Sequence, residues 1–404
     1  MPETAHESRP HPLQGVKVVD LGQIYNGPYA TFLMAMAGAD VIKVEPREGE
    51  SLRVRGAVGT GKLPFAMLNS NKRCITLNLK SQRGRGLLID LVRRADVLLE
   101  NFAPDTMERL GLPAELLLAE NPRLIYASGS GYGRSGPKRD YLAMDLTVQA
   151  VAGIMSVTGY PEGPPLKAGV ALCDFLGGVH LYGAIVTALY EREKTGCGRV
   201  VEVAMLEAAY VTLASNLGLF HGSGGKAPPR TGNRHGGLSM APYNVYPAAD
   251  GHVAIIVVGE EHWRQLLRAM GRADLLDDPR FADNKARVAH IAQVDALIEN
   301  WTRGLPRERI FELTKQFRVP SAPVRDLVEV VNDEHMHGRG MLKRIEHPEL
   351  GPIVVPTTAM RFHGTPQMEI VPSGRLGQYT AEVLQAELGL DDAEIAALRR
   401  DQVI

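Results

Sequence analysis

Cysteine is almost missing from this chain: three among 404 residues, Cys74, Cys173 and Cys197. An odd number spaced far apart makes neither a disulfide framework nor a zinc-type ligand set, and it suits a reducing compartment. Charge of one sign is missing too, with 45 basic residues against 46 acidic ones. No general field draws nucleic acid, so an anionic ligand has to be held by locally placed groups. No apolar run approaches the roughly 20 residues that cross a bilayer. The richest stretch, Leu181 to Leu189, carries Tyr182 and Thr187, and no apolar export segment precedes the first strand. These absences predict a cytoplasmic protein that neither enters a membrane nor binds nucleic acid. Also absent are the serine elbow, paired cysteine ligands and an H-E-x-x-H helix, which removes the hydrolase and zinc readings and predicts no bound metal.

What is present is ordinary in composition and informative in order. A hydrophobic share of 45% with 23% charged residues places the chain among globular proteins, and its length predicts two domains. Residues 1–12 show no period and read as a loose arm. Val16 to Leu21 reads as a strand, Pro28 to Ala37 as a helix opened by proline, and Asp40 to Val44 as a strand. Cys74 to Leu79, Val97 to Glu100 and Leu124 to Ser128 continue the strands. Helices over Arg83 to Arg94 and Pro104 to Leu110 alternate with them. The fold class is therefore α/β, an open and mostly parallel sheet covered by helices on both faces. A helix from Asp145 to Ser156, a Gly/Pro-rich loop from Thr158 to Asp174, a helix from Phe175 to Lys194, a strand from Val200 to Ala204 and a helix to His221 follow. Glycine, proline and basic residues then mark a linker over 222–241. Beyond it a small α+β domain spans 242–325, and a segment over 326–404 ends in helices at Thr380 to Leu388 and Asp391 to Arg400.

A β-α-β opening invites a nucleotide reading, with Glu45 where a ribose-binding acid would stand. The glycines argue against it, because GQIYNGP (Gly22 to Pro28) follows the first strand and not G-x-G-x-x-G. The cluster GSGYGRSGP, Gly129 to Pro137, reads as a tight turn or as a close backbone approach to a ligand.

Asp174 is the residue the pattern singles out. It precedes FLGG at a helix start, so its ordinary role is an N-cap. Glycines at 169, 177 and 178 open space for a bulky ligand instead. A carboxylate beside a helix N-terminus is expected to stay ionised at neutral pH, as a nucleophile must. Cys173 reads as an inert buried thiol, and His180 falls on another face of the helix. His235, in GNRHGG, reads as a loop histidine or a ligand contact.

The segment GPPLKAGVALCDFLGGVHLYGAIVTALYEREKTGCGR around Asp174 resembles the active-site region of the class III CoA-transferases, the formyl-CoA transferase and carnitine CoA-transferase family of CaiB/BaiF type. LQGVKVVDLGQIYNGPYATFLMAMAGADVIKVE, NSNKRCITLNLKS, VLLENFAPDTMERLGL, SGYGRSGP and LGQYTAEVLQAELGL are similar to family segments in family order, from Leu13 to Leu390.

The resemblance implies a large Rossmann-like domain built from both ends of the chain (13–221 and 326–404), a small domain between them, and an interlocked homodimer. It implies no permanently bound cofactor, with coenzyme A thioesters and free carboxylic acids as substrates. Asp174 would attack the acyl-CoA, giving a mixed anhydride and then an aspartyl-CoA thioester, with backbone N–H groups near Gly177 and around Gly236 and Gly237 as oxyanion donors. CoA contacts would be Gln23, Ile24, Arg47, Asn78, Leu79, Lys80, Asn101, Phe102, Arg109 and Met205. Tyr25, Asp145, His235, Gly236 and Gly237 would shape the acid pocket. Tyr25 stands where the formyl-CoA transferases carry glutamine, and only Gly236 and Gly237 represent their tetraglycine loop. A larger or dicarboxylic acid, with succinyl-CoA as donor, is therefore expected. Met144 stands where the related acyl-CoA racemases carry histidine, which removes one of the two proton-transfer groups racemisation needs. An acyl-CoA racemase or isomerase of the same fold is the alternative among enzymes, and a non-catalytic acyl-CoA-binding protein and a NAD-dependent dehydrogenase are the readings from other classes.

Overall fold

The computed structural model describes residues 9–55 and 62–404. The chain forms two compact units. The first runs up to Val148, then from Ala171 to Ala209 and from Val331 to Ile404, and the second holds Gln149–Val170 and Tyr210–Val330.

Six parallel strands organise the first unit: β1 Lys17–Asp20, β2 Asp40–Glu45, β3 Lys72–Thr76, β4 Val97–Glu100, β5 Ile125–Ser130 and β6 Arg199–Ala204. Their order is β3-β2-β1-β4-β5-β6. Val19 is in register with Ile42 on one side and Leu98 on the other. Neighbouring residues of a strand point to opposite faces, and both faces here are apolar. Val19, Ile42 and Leu98 join one core cluster, whereas Val18, Val41, Val97 and Leu99 join the other. Helices Gln82–Val92, Ala114–Glu120, Thr380–Leu388 and Asp392–Arg400 cover the first face. Helices Asn26–Met36 and Leu172–Thr195 cover the second. The C-terminal helices close the edge of β3: the Thr76 amide donates to Thr380 Oγ1 at 3.0 Å and the Asn78 amide to the Val403 carbonyl at 2.7 Å.

Among the described residues one helix, Leu172–Thr195, is long and apolar enough to cross a bilayer, where the sequence reading finds no such run. Leu181, Ile185, Ala188 and Leu189 put one face of it in the core. Gly177 and Gly178 serve packing rather than open space. A Cβ at Gly178 would meet the Asn26 carbonyl oxygen at 2.7 Å, so the missing side chain is what lets helix Asn26–Met36 lie against it.

Several expected elements differ. The helix expected over 145–156 breaks at Gly153, whose φ of +87° no continuing helix adopts, into Asp145–Val151 and Ile154–Val157. Between Met205 and Gly222 a 3₁₀ turn at Val211–Leu213 interrupts the helix. Of the expected arm, residues 1–8 lie outside the described residues, and the Arg9 amide donates to the Gly364 carbonyl at 3.0 Å. Residues 149–170 and 210–241 fall in the second unit rather than in the large domain or a linker.

The second unit packs helices Glu260–Ala269, Ile291–Thr302 and Arg307–Gln316 on an antiparallel sheet of β7 Tyr243–Ala248, β8 Gly251–Ile256 and β9 Ser321–Pro323. Its basic segment is consumed internally. Arg230 donates to the carbonyls of Tyr160, Pro161 and Gly163, and Arg234 pairs with Asp295 at 2.8 Å. In the first unit β10 Leu342–His347 and β11 Gly351–Pro356 form a separate hairpin.

Candidate active site

In an open parallel sheet the chain leaves neighbouring strands in opposite directions where the strand order reverses, and a crevice opens there beyond the carboxyl ends. That point lies between β1 and β4 here. The Asn101 side chain spans it, accepting the Gln23 amide at 2.6 Å and donating to the Gln23 carbonyl at 2.9 Å. A cavity of about 650 Å³ occupies the crevice, and Gln23, Ile24, Asn101, Phe102, Met205 and Asp174 stand on its wall.

Every expected coenzyme contact from Gln23 to Phe102, and Met205, follows the carboxyl end of a strand: Gln23 and Ile24 after β1, Arg47 after β2, Asn78 to Lys80 after β3, Asn101 and Phe102 after β4, Met205 after β6. Parallel strands place all of these at one edge of the sheet. Arg47, Asn78, Leu79, Lys80 and Arg109 do not line the cavity. Leu79 packs on the core, the Asn78 side chain accepts the Lys80 amide, and the Arg109 guanidinium donates to Pro104 and Thr106 of its own loop. The cavity's own cations are Arg55, Arg134 and Arg139, none of which the sequence reading singles out. Arg134 lies over the Tyr126 ring at 5.5 Å and pairs with Glu108 at 3.6 Å.

Asp174 is not a cap. The helix begins at Leu172, so Asp174 lies inside its first turn, and Ala171 at the N-cap offers no side-chain bond. Asp145, at the start of helix Asp145–Val151, supplies the cap from a distance. Its Oδ1 accepts the amides of Cys173 at 2.7 Å and Asp174 at 3.3 Å. With 8% of its surface exposed, the Asp174 carboxyl is pushed up to about 7, first by burial and then by the Asp145 charge. This corrects the expectation that the helix terminus keeps it fully ionised: two of the first-turn N–H groups face Asp145. The same causes push the Cys173 thiol up to about 12, so it is inert. Gly177 sits in the second turn, where the helix itself takes the backbone N–H, so that amide is no oxyanion donor.

Phe175 carries aromatic neighbours to the same helix start. Tyr25 stacks on it at 5.8 Å and Tyr29 meets it edge-on at 4.9 Å. Asn26 lines the cavity, and its Nδ2 donates to the Asp174 carbonyl at 3.4 Å. His235, Gly236 and Gly237 belong to the second unit. There the His235 ring meets Tyr243 at 5.2 Å, and Gly236 lies close against Asn216.

Beneath the loop after β1 lies a buried charge network that the sequence reading misses. Lys72 Nζ donates to Asp20, Pro28, Thr31 and Asn69, at 2.8 to 3.0 Å. Burial pushes its ammonium down to about 8 against the pull of Asp20. Lys43 donates to the Gly22 carbonyl and lies 3.7 Å from Glu50, whose Oε2 accepts the Ile24 amide at 3.2 Å. Ile24 needs that hold. Its φ of +64° is the left-handed region, which a β-branched residue adopts only under constraint.

A family model described as CoA-transferase family III matches residues 13–380. A formyl-CoA:oxalate CoA-transferase of Streptomyces avermitilis is 36% identical over 97% of this chain and 99% of its own. A succinate–glutarate CoA-transferase of Agrobacterium fabrum is 35% identical over 94% and 96%. The crystal structure of a CaiB/BaiF family protein from Brucella suis superposes with a TM-score of 0.82 at 33% identity, covering 94% of this chain and all of that one.

Proposed function

Since the chain belongs to CoA-transferase family III, we propose that it moves coenzyme A from an acyl-CoA to a free carboxylic acid through covalent intermediates on Asp174. The observation that carries this reading is the buried carboxyl of Asp174, at the start of helix Leu172–Thr195, on the wall of a cavity at the strand-order reversal. Ionised Asp174 attacks the thioester carbonyl, and the carbon–sulfur bond breaks to give an aspartyl mixed anhydride and the CoA thiolate. The thiolate attacks the aspartyl carbonyl, forming the aspartyl-CoA thioester and releasing the first acid as its carboxylate. The acceptor carboxylate then runs the two steps in reverse. No general base is needed, because each nucleophile enters as an anion. Burial supports the scheme by keeping water from the anhydride.

The donor is succinyl-CoA and the acceptor a larger or dicarboxylic acid. Tyr25 against Phe175 supports this, as does the succinyl-CoA–D-citramalate CoA-transferase of Chloroflexus aurantiacus, 34% identical over 98% of this chain. Arg47, Lys80 and Arg109 are assigned to the coenzyme's phosphates. The protein acts as an interlocked homodimer in the cytoplasm. Apolar side chains left outside, Val179 and Tyr190 on helix Leu172–Thr195 and Leu142 beside the cavity, support the dimer.

Succinyl-CoA incubated with a panel of carboxylic acids tests the reading. New CoA thioesters, with a hydroxamate at Asp174 after hydroxylamine trapping, are expected by mass spectrometry. Deuterium uptake beside a thioester carbonyl, with no exchange of acids, would make the protein a racemase instead.

A further inference from the structure

Asn26 opens the helix Asn26–Met36 and stands on the cavity wall with Asp174 and Gly129. Only 3% of its surface is exposed. Its Nδ2 donates to the Asp174 carbonyl, which fixes the amide's orientation, since a flipped amide would set oxygen against oxygen. Oδ1 is then buried without a hydrogen-bond partner among the described residues. An acceptor in that state carries its desolvation penalty uncompensated, and an apolar side chain of the same shape would pack there at lower cost.

Two other elements are built around this amide. A Cβ at Gly129, in β5, would stand 2.4 Å from Oδ1, and one at Gly177, in helix Leu172–Thr195, would stand 2.2 Å from Nδ2. Both positions omit a side chain where the carboxamide lies. An oriented, orphaned acceptor in a cleared space beside the reacting residue calls for a donor on the ligand.

We propose that Asn26 Oδ1 accepts a hydrogen bond from the cysteamine amide N–H of the bound coenzyme, and so registers the thioester carbonyl against Asp174. The proposal rests on the CoA-transferase reading above. Of the N–H donors on the coenzyme's arm, this one lies nearest the sulfur, separated from it by an ethylene link. Asn26 is bonded to the main chain of Asp174, and both residues stand on the wall of one cavity.

The test is calorimetric binding of coenzyme A and of an analogue whose cysteamine amide is an ester, which replaces the N–H by oxygen. The full-length wild type is expected to bind the ester about tenfold more weakly, the loss of one well-made hydrogen bond. Asn26→Ala, and Asn26→Leu should the alanine variant not fold, are expected to bind both compounds equally. Asp174→Ala is expected to keep the preference, because its carbonyl is main chain. Equal wild-type affinities, or a preference that survives in the folded Asn26 variants, overturns the proposal. Binding needs no turnover, so this result stands apart from hydroxamate trapping at Asp174, which alone decides the covalent scheme.

Discussion

Asp145 Oδ1 accepts the backbone N–H of Asp174 at 3.3 Å, so the residue that caps the helix also sets a negative charge beside its carboxyl. The cap orders the helix start while the charge opposes ionisation of the group placed there.

The pH dependence of turnover follows. With the Asp174 carboxyl near 7, kcat/KM is expected to rise through neutral pH and level off above it, because only the anion is nucleophilic. Asp145→Asn keeps an oxygen for the Cys173 and Asp174 amides and removes the charge. The midpoint in a pH–rate profile is expected to move down while staying above an ordinary aspartate, since burial is the larger cause.

Asp174→Asn should abolish turnover and stabilise the fold above neutral pH. A carboxyl raised from 3.8 to about 7 on folding loses its proton earlier in the unfolded chain, so stability falls as pH rises through that window. The variant lacks that loss. Its Tm relative to wild type is expected to be higher at pH 8 than at pH 5, read by thermal melts alongside the activity assay.

Lys72→Met leaves Asp20 and Asn69 buried without their cation. Breaking a buried pair from one side costs about 3–5 kcal/mol. Adding Asp20→Asn is expected to restore part of that, and urea denaturation of the two single variants and the double variant measures the coupling.

Two glycine substitutions should act with opposite sign. Gly178→Ala forces a Cβ to 2.7 Å from the Asn26 carbonyl and is expected to destabilise by about 1–3 kcal/mol through overpacking. Gly86→Ala, in helix Gln82–Val92 with nothing within 4 Å of the new atom, is expected to stabilise by about 0.5–1 kcal/mol. Denaturant midpoints distinguish them.

The sheet was legible because its signals are local. Strands such as Val97 to Glu100, buried on both faces, read as short apolar runs, and helices such as Arg307 to Gln316 read by their period, so both match the structure residue for residue. Breaks were harder: a single glycine at 153 splits a helix whose apolar pattern continues through it. For the site, Asp174 stood out by its glycines, although two of them, Gly177 and Gly178, turned out to admit Asn26 and its helix. What sequence could not show is long-range. Asp145 meets Cys173 from 28 positions away, and Lys72 meets Asp20 from 52. Nor does spacing reveal that the amide of Asn26 lies between Gly129 and Gly177.

The closure of β3 by the C-terminus sets a timetable for biosynthesis. Thr76 and its partner Thr380 lie 304 residues apart, so a ribosome making about 5–20 residues per second takes about 15–60 s to deliver the second after the first. Through that interval the nascent β1, β2 and β3 expose the face later covered by Val383, Leu384, Ile395 and Leu398. The whole second unit is translated meanwhile. Newly made chains are thus natural clients for chaperones, and a truncation of only the final helix strands a sheet that is otherwise complete.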